Sequence, residues 1–373
     1  MKVCFTGGGT GGHVFPVFAI DEQLGRLLER QGEPYERFWL GSRMPLEKHW
    51  VLSASIPHIA IRSGKLRRYF SWRFIPDMMG IVVGFFQSVY FLSKEKPDVL
   101  FSKGGYVSVP PVLAAKILGI PSLTHESDAI VGLATRINAH LVETVCIPFE
   151  EVKTQFPAKM HHKLVATGVP SRLSADDADA KRAFERYGIP IGRPLIVVLG
   201  GSQGALQINE MVWEQLDRLL EIGSVVHQSG EKTYRNIRRE GYHIMPFIDD
   251  GLGDLLAAAT VVISRSGATA LADFLEFCLP MVLIPLGMNA SRGEQMGNAQ
   301  RIVSAGAAIL IEAEKATGEN LVSLVENIVY DHDMRERMVK GAKSLRPQPA
   351  APVIAFQIVR CMTGKEKRRV TDD

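Results

Sequence analysis

Cysteine is scarce in this chain and scattered. The 373 residues hold four, Cys4, Cys146, Cys278 and Cys361, far apart and with no CxxC pair, which argues against a disulfide framework and a zinc site and for a reducing compartment. A membrane-length apolar run is missing as well. The core-like stretch from Met78 to Leu92 covers fifteen positions and includes Gln87 and Ser88, short of the roughly twenty apolar residues that cross a bilayer. Met1-Lys2 leads straight into "VCFTGGG" without the apolar core of a secretory signal, so a cytoplasmic protein is expected. An excess of one charge is absent too: 43 Lys and Arg against 40 Asp and Glu leave a formal +3, too little by itself to imply nucleic acid.

What the chain does have is apolar content, 46% of it, enough for more than one packed core. Short β-branched runs alternate with longer helical patterns, the signature of a parallel sheet covered by helices. "KVCFT", "RFWLG", "HIAIR", "DVLFS", "SLTHE" and "TVCIP" form one series. After "HKLVATGVPSR" a second begins, with "LIVVLGG", "SVVHQSG", "HIMPF", "VVISRSG", "MVLIPLG" and "AILIE". The polar stretch Ser174 to Arg186 separates them, which places a hinge near Gly168 to Ser174. The segment Pro352 to Met362 has helical spacing after the proline-rich "LRPQPAAP" and reads as a trailing helix returning to the first domain. The expected divisions are therefore residues 1–168, 169–345 and 346–373.

Each half opens with a strand running into glycines. "FTGGGTGGHVFP", Phe5 to Pro16, offers positive φ, close backbone approach and the N–H groups of a following helix, which suits an anion. Gly7, Gly9 and Gly12 satisfy GxGxxG, so a dinucleotide-binding dehydrogenase is one reading. Its companion, an acid ending the second strand, is missing: that strand ends Leu40-Gly41-Ser42-Arg43. The second half supplies "LGGSQGA", where the Ser202 hydroxyl and the backbone around Gln203 and Gly204 suit a diphosphate. A tight turn without any ligand is the plain alternative for either loop taken alone.

"GGGTGGHVFP", "SKGGYVSVPPVLAA", "HESDAIVGLA", "GGSQGA", "HQSG", "FIDD", "ISRSGATALADF" and "SRGEQMGNA" stand in that order over roughly residues 1 to 312. The ordered set closely resembles the MurG family of bacterial N-acetylglucosaminyltransferases. The resemblance implies an α/β GT-B glycosyltransferase fold, two Rossmann-like domains facing a central cleft. It also implies transfer of N-acetylglucosamine from UDP-GlcNAc to lipid I, undecaprenyl-diphospho-muramoylpentapeptide, at the cytoplasmic face of the cell membrane, with residues 1–168 taking the acceptor and membrane and 169–345 the UDP-sugar. Residue by residue, Thr10, Gly11 and Gly12 match the loop that meets donor and acceptor diphosphate, and His13 the candidate catalytic histidine. Asp128 falls in the "HESD" block, where some members carry Asn. Arg172 matches a nucleotide-diphosphate contact, Ser202 a phosphate contact, and Ile248 a backbone contact to uracil. Ala268, Thr269, Ala270, Leu271, Ala272 and Asp273 match the loop and helix start around donor phosphate and ribose, with Asp273 in place of the usual Glu. Gln295 matches a contact to the sugar hydroxyls.

Forming a β-1,4 bond from an α-linked UDP-sugar inverts the anomeric centre, so a base must take the muramoyl 4-hydroxyl proton. His13 suits that task; its other reading is a hydrogen bond to diphosphate or a helix cap. Glu126 is the rival base, or else it orients His13 or buttresses the loop. The glycine-loop N–H groups, Ser202 and Arg172 suit the charge that grows on departing UDP without a metal. No DxD-like pair stands in a donor loop, and His161-His162 forms no ligand set, so no metal and no other cofactor is expected. Lys65, Arg67, Arg68 and Arg73 interleave with Tyr69, Phe70 and Trp72, a composition suited to an anionic bilayer surface. The helix that follows, Gly80 to Tyr90, reads as a buried domain helix. Two other classes stay open at this point: another GT-B enzyme, such as a glycolipid glycosyltransferase or UDP-sugar epimerase, and a non-catalytic UDP-sugar-binding membrane protein.

Overall fold

A computed structural model describes residues 1–8, 11–64, 74–201, 204–248, 250–287, 293–346 and 349–371. The chain forms two compact units, Met1–Arg172 with Gln348–Asp373, and Leu173–Pro347. Lys65 to Arg73, Thr10 and Ser202, all singled out from the sequence, lie outside the described residues.

The first unit is built on seven strands, β1 (Lys2–Thr6), β2 (Glu36–Gly41), β3 (His58–Ala60), β4 (Val99–Ser102), β5 (Ser122–His125), β6 (Thr144–Ile147) and β7 (Leu164–Ala166). They are all parallel, in the order β3-β2-β1-β4-β5-β6-β7. The connecting helices are α1 (Gly11–Gln31), α2 (Pro45–Ser53), α3 (Phe74–Glu95), α4 (Val109–Ile117) and α5 (Leu133–Ala139). The middle of β1 is apolar because both its faces are covered: Val3 and Phe5 pack into one core and Cys4 into the other, the period-two division of a strand between two helix layers.

The second unit repeats the plan with β8 (Leu195–Leu199), β9 (Ser224–Gln228), β10 (Tyr242–Met245), β11 (Val261–Ser264), β12 (Met281–Leu283) and β13 (Ala308–Leu310). All are parallel, in the order β10-β9-β8-β11-β12-β13. Its helices are α6 (Ala180–Tyr187), α7 (Leu206–Glu214), α8 (Leu216–Ile222), α9 (Leu252–Ala258), α10 (Ala268–Glu276), α11 (Glu294–Ser304), α12 (Gly318–Tyr330) and α13 (His332–Leu345). Part of the polar stretch after the hinge is α6, started by the Asp179 carboxylate on the Lys181 N–H and stopped by Gly188 at φ 58°. Those are a standard N-cap and a left-handed C-terminal glycine. All four cysteines are free thiols.

One helix differs in character from what hydropathy suggested. α3 is longer than the fifteen-residue stretch, and Ile75–Glu95, with mean hydropathy 1.4, is long and apolar enough to cross a membrane by length and composition. It is not the buried helix expected over Gly80 to Tyr90 either. Gly84, Ser88 and Leu92 are buried on the side that meets α4, and Gln87 Oε1 accepts the Arg62 N–H at 2.7 Å. The opposite face is bare: Ile75, Phe86 and Tyr90 are 73%, 65% and 62% exposed. A final helix, α14 (Ala350–Thr371), packs on α1 and puts Ile354 and Ile358 into the same core as Val3 and Phe5.

That makes α14 part of the first unit's core. Ile354→Ala should cost about 2–5 kcal/mol, the range for emptying a fully buried aliphatic site, read as a lower denaturant midpoint. A change within error would place α14 outside the cooperative core.

Candidate active site

In an open parallel sheet, ligands gather where successive connections leave the strand ends towards opposite faces. In the first unit that point lies between β1 and β4, and the two glycine turns "GGGTGGH" and "KGGY" follow those strands. In the second it lies between β8 and β11, where "GGSQG" and "RSGAT" follow. The two pairs of blocks, separate in sequence, share one location within each unit.

The first of these turns is shaped by an acid that the sequence reading missed. Glu47, 2% exposed in the first turn of α2, accepts the Ser42 N–H at 2.7 Å, the Ser42 hydroxyl at 2.5 Å and the Trp39 indole N–H at 3.1 Å. Gly8, at φ +141°, lies so close to this carboxylate that any Cβ would collide with it, so the turn admits only glycine there. His58 Nε2 stands 3.7 Å from Glu47 Oε1 on the far side.

His13 is the third residue of α1 and half-buried. Its Nδ1 is enclosed without a hydrogen-bond partner among the described residues, and its Nε2–Cδ2 edge lies against Gly105, 3.2 to 3.3 Å from where a Cβ there would stand. Burial, then the positive charge of Lys103, pulls its pKa down to about 4 against the smaller opposing pull of the Lys103 backbone and Glu47. The imidazole is therefore neutral at pH 7, with a lone pair to accept a proton.

Glu126 is also buried, but its oxygens are occupied. Oε1 accepts the Ser127 and Asp128 N–H groups at 2.8 and 3.1 Å, and Oε2 the Gly132 N–H at 3.0 Å. It ties down the loop that leads from β5 into α5. Asp128 is half-buried in that loop. Arg172 lays its guanidinium over the Phe15 ring of α1, 4.6 Å from the centroid.

In the second unit, Gly200 and Gly201 end β8. A Cβ on Gly204 would collide with the Ser229 carbonyl, so the turn after β8 is moulded against the loop after β9. That loop hangs on a buried chain in which every proton is placed: the Trp213 N–H donates to Tyr242 Oη at 3.0 Å, Tyr242 faces His227 Nδ1 at 2.8 Å, His227 Nε2 faces Asn209 Oδ1 at 3.0 Å, and the Asn209 amide donates to the Ser229 carbonyl at 2.8 Å. The amide oxygen can only accept, so His227 carries its proton on Nε2 and accepts on Nδ1. Gln228 bridges the same turn to the next loop, donating to the Gly201 carbonyl and accepting the Ile248 N–H, both at 3.0 Å. Ile248 is buried and its N–H is already engaged, so a nucleobase meeting its backbone N–H has to displace Gln228.

α10 opens at Ala268 after Gly267, an N-cap position with no side chain of its own to close it, and a helix N-terminus favours an anion. Ala268, Thr269 and Ala270 are half-buried. Leu271 is part of the core, and Ala272 and Asp273 are buried. The loop is held by Arg265, whose guanidinium donates to the Ile284 and Pro285 carbonyls at 2.8 and 3.0 Å. Gln295, second in α11, accepts the Leu286 N–H on Oε1 at 3.0 Å, and its carbonyl accepts the Ser266 hydroxyl at 2.7 Å. Gln295 thus already braces the loop that would face a sugar.

Comparison with known proteins agrees with this arrangement. The glycosyltransferase family 28 N-terminal domain matches residues 3–147 and the family 28 C-terminal domain residues 195–351. The chain is 34% identical to the UDP-N-acetylglucosamine–N-acetylmuramyl-(pentapeptide) pyrophosphoryl-undecaprenol N-acetylglucosamine transferase of Treponema denticola, over 98% of this chain and 99% of that one. It is 36% identical to the Staphylococcus aureus enzyme of the same name, over 92% and 94%. The crystal structure of Acinetobacter baumannii MurG superposes with a TM-score of 0.70 at 25% identity, covering 96% of this chain and 99% of that one. A UDP-GlcNAc 2-epimerase from Neisseria meningitidis, TM-score 0.68 at 13% identity over 96% and 100%, shares the fold. Two parallel Rossmann-like sheets with glycine turns at their switch points define a glycosyltransferase of the GT-B fold. The chain belongs to glycosyltransferase family 28, and within it to the MurG-type transferases.

The buried relay around His227 has a pH signature. Burial lowers its pKa to about 3, while an unfolded histidine titrates near 6.5. The unfolded state therefore binds the proton first, and stability should fall as pH drops from about 6.5 towards 3. His227→Gln should flatten part of that slope in melts followed against pH; an unchanged slope would assign it to other groups.

Proposed function

We infer that this chain transfers N-acetylglucosamine from UDP-GlcNAc to the muramoyl 4-hydroxyl of lipid I, with inversion, to give lipid II. The observation that carries the chemical part is His13: a neutral, partly enclosed imidazole at the start of α1, beside the two glycine turns of the first switch point. The 4-hydroxyl oxygen attacks the anomeric carbon as the bond to UDP breaks, and its proton passes to His13. The glycine turn after β8 and the N-terminus of α10 serve the diphosphate with backbone N–H groups as its charge grows. Arg172, Ser202, Thr10, Gly11 and Gly12 serve the diphosphates, Ile248 the uracil, Asp273 the ribose and Gln295 the sugar. Glu126, with both oxygens on backbone N–H groups, serves as the buttress of the acceptor loop and Asp128 as its polar wall.

The acceptor is a lipid, and the bare face of α3 is suited to reaching it. Ile75, Met79, Val82, Phe86 and Tyr90 are all exposed at helical spacing, and Ile117 of the neighbouring α4 is 63% exposed. Such a stripe, directly following the basic and aromatic segment Lys65 to Arg73 in the sequence, fits peripheral attachment to an anionic membrane surface. Two measurements test these readings.

His13→Asn should fold and bind UDP yet lower turnover by roughly 10²- to 10⁴-fold, the range for loss of a general base. Wild-type turnover at saturating donor and acceptor would falsify the base assignment, and an epimerised sugar as product would point to the epimerase branch of the fold. For the membrane, Phe86→Ser with Tyr90→Ser should weaken vesicle binding about tenfold or more, from the apolar area withdrawn, in neutral and anionic lipid alike. Replacing Arg67, Arg68 and Arg73 with Gln should weaken it only with anionic lipid at low salt. Unaltered partitioning of both variants would give the stripe another purpose.

A further inference from the structure

Among the described residues, Lys103 is the one buried cation of the first switch point with no role assigned so far. A lysine ammonium is among the costliest groups to take out of water, and this one is 1% exposed. The residue follows β4, where its N–H donates to the Thr6 carbonyl at 2.8 Å and its Cβ stands 3.2 Å from where a side chain on Gly7 would begin. Its Nζ reaches across to the loop after β5 and donates to Ser127 Oγ at 2.5 Å. Lys103 thus touches all three loops of the site: the glycine turn that carries His13, its own glycine pair with Gly105 against the His13 ring, and the loop that Glu126 holds.

We propose that Lys103 is a positioning residue for the transfer, tying the Ser127 loop to the back of the His13 turn and setting a fixed positive charge beside the His13 ring. The proposal rests on the reading of His13 as the base. The charged groups around the pair account for the balance. Lys103 and Glu47 act on His13 from opposite sides, with Lys103 the larger of the two. Glu126 and Asp128 sustain the charge on Lys103 against burial, which lowers its pKa to about 8. His125 lies within reach of the same charge and is kept neutral by burial, and His58 stands behind Glu47. At neutral pH Lys103 is therefore cationic and His13 is not. Burial first, and the ammonium with it, keep the base free of a proton until the substrate supplies one.

Lys103→Met separates this role from a structural one. The methionine matches the stem in length and shape, and Glu126 keeps its three backbone donors, so the melting temperature should hold or rise, as it often does when a buried charge becomes apolar. Turnover with UDP-GlcNAc and a lipid I analogue should nevertheless fall by about tenfold or more, with the KM for UDP-GlcNAc unchanged. The acid limb of the kcat profile should move to higher pH, because the charge that lowered the His13 pKa is gone. Lys103→Arg, which keeps the charge, should leave that limb in place. Ser127→Ala, which cuts the tether and keeps the ammonium, should lower kcat without moving the limb, and it serves as the test if Lys103→Met does not fold. An acid limb at the wild-type pH in Lys103→Met, an equal shift in Lys103→Arg, or wild-type kcat in Ser127→Ala would overturn the proposal. Loss of activity in His13→Asn together with a silent Lys103→Met removes only the lysine's role. Full activity in His13→Asn removes the base reading beneath it, and the proposal with it.

Discussion

The chemistry of this molecule depends on one constraint, the unpaired backbone at the ends of parallel strands. A parallel strand must be followed by a crossover, and where two neighbouring crossovers depart to opposite faces the first N–H groups of the following helices are left pointing into the same gap. Both sheets have such a point, β1 beside β4 and β8 beside β11. Glycine at those turns lets other parts of the protein approach the backbone closely, the Glu47 carboxylate at Gly8 and the Ser229 carbonyl at Gly204. The turns are thus shaped from behind before any ligand arrives. Preorganised donors of this kind stabilise developing charge because they do not have to reorient during the reaction.

The same burial that fixes the turns also sets the charge state of the histidines. His13, His125 and His227 are all driven towards the neutral form, chiefly by desolvation. His227 spends both ring nitrogens on protein partners, Tyr242 and Asn209, and His125 gives its Nε2 to the Gly168 carbonyl. The Nδ1 atoms of His13 and His125 are enclosed with no such partner among the described residues, and of the two His13 stands at the glycine turn. A buried polar atom left unsatisfied costs stability, and such costs concentrate where a substrate is to supply the missing partner.

Much of this architecture was legible in the sequence, for a physical reason. Strands covered on both faces need an apolar middle, so Val3–Phe5 of β1, Leu195–Leu199 of β8 and Val261–Ile263 of β11 stand out as short apolar runs with glycine close behind. Other features depend on tertiary context. Nothing in "SRMPLEKHW" announces that Glu47 turns back to Ser42, because an acid in the first turn of a helix is ordinarily a solvated partner of the helix dipole. Lys103 stood inside a recognised block, yet a lysine beside glycines reads as exposed until its burial is seen. The face of α3 was misread because hydropathy records how apolar a segment is and is blind to what covers it. Ile248 matched a backbone contact to uracil, and that Gln228 already holds its N–H is visible only in the fold.

The return of α14 to the first unit has a consequence for how the chain is made. Residues 350–361 complete the core that begins at Val3, so the earlier unit stays unfinished until the chain past residue 350 has left the ribosome. The unit Leu173–Pro347 has all its strands synthesised before that happens. Nascent chains generally fold domain by domain as they emerge, but here the order of completion runs against the order of synthesis. The first unit, with the exposed apolar face of α3, closes after the unit that follows it in the sequence.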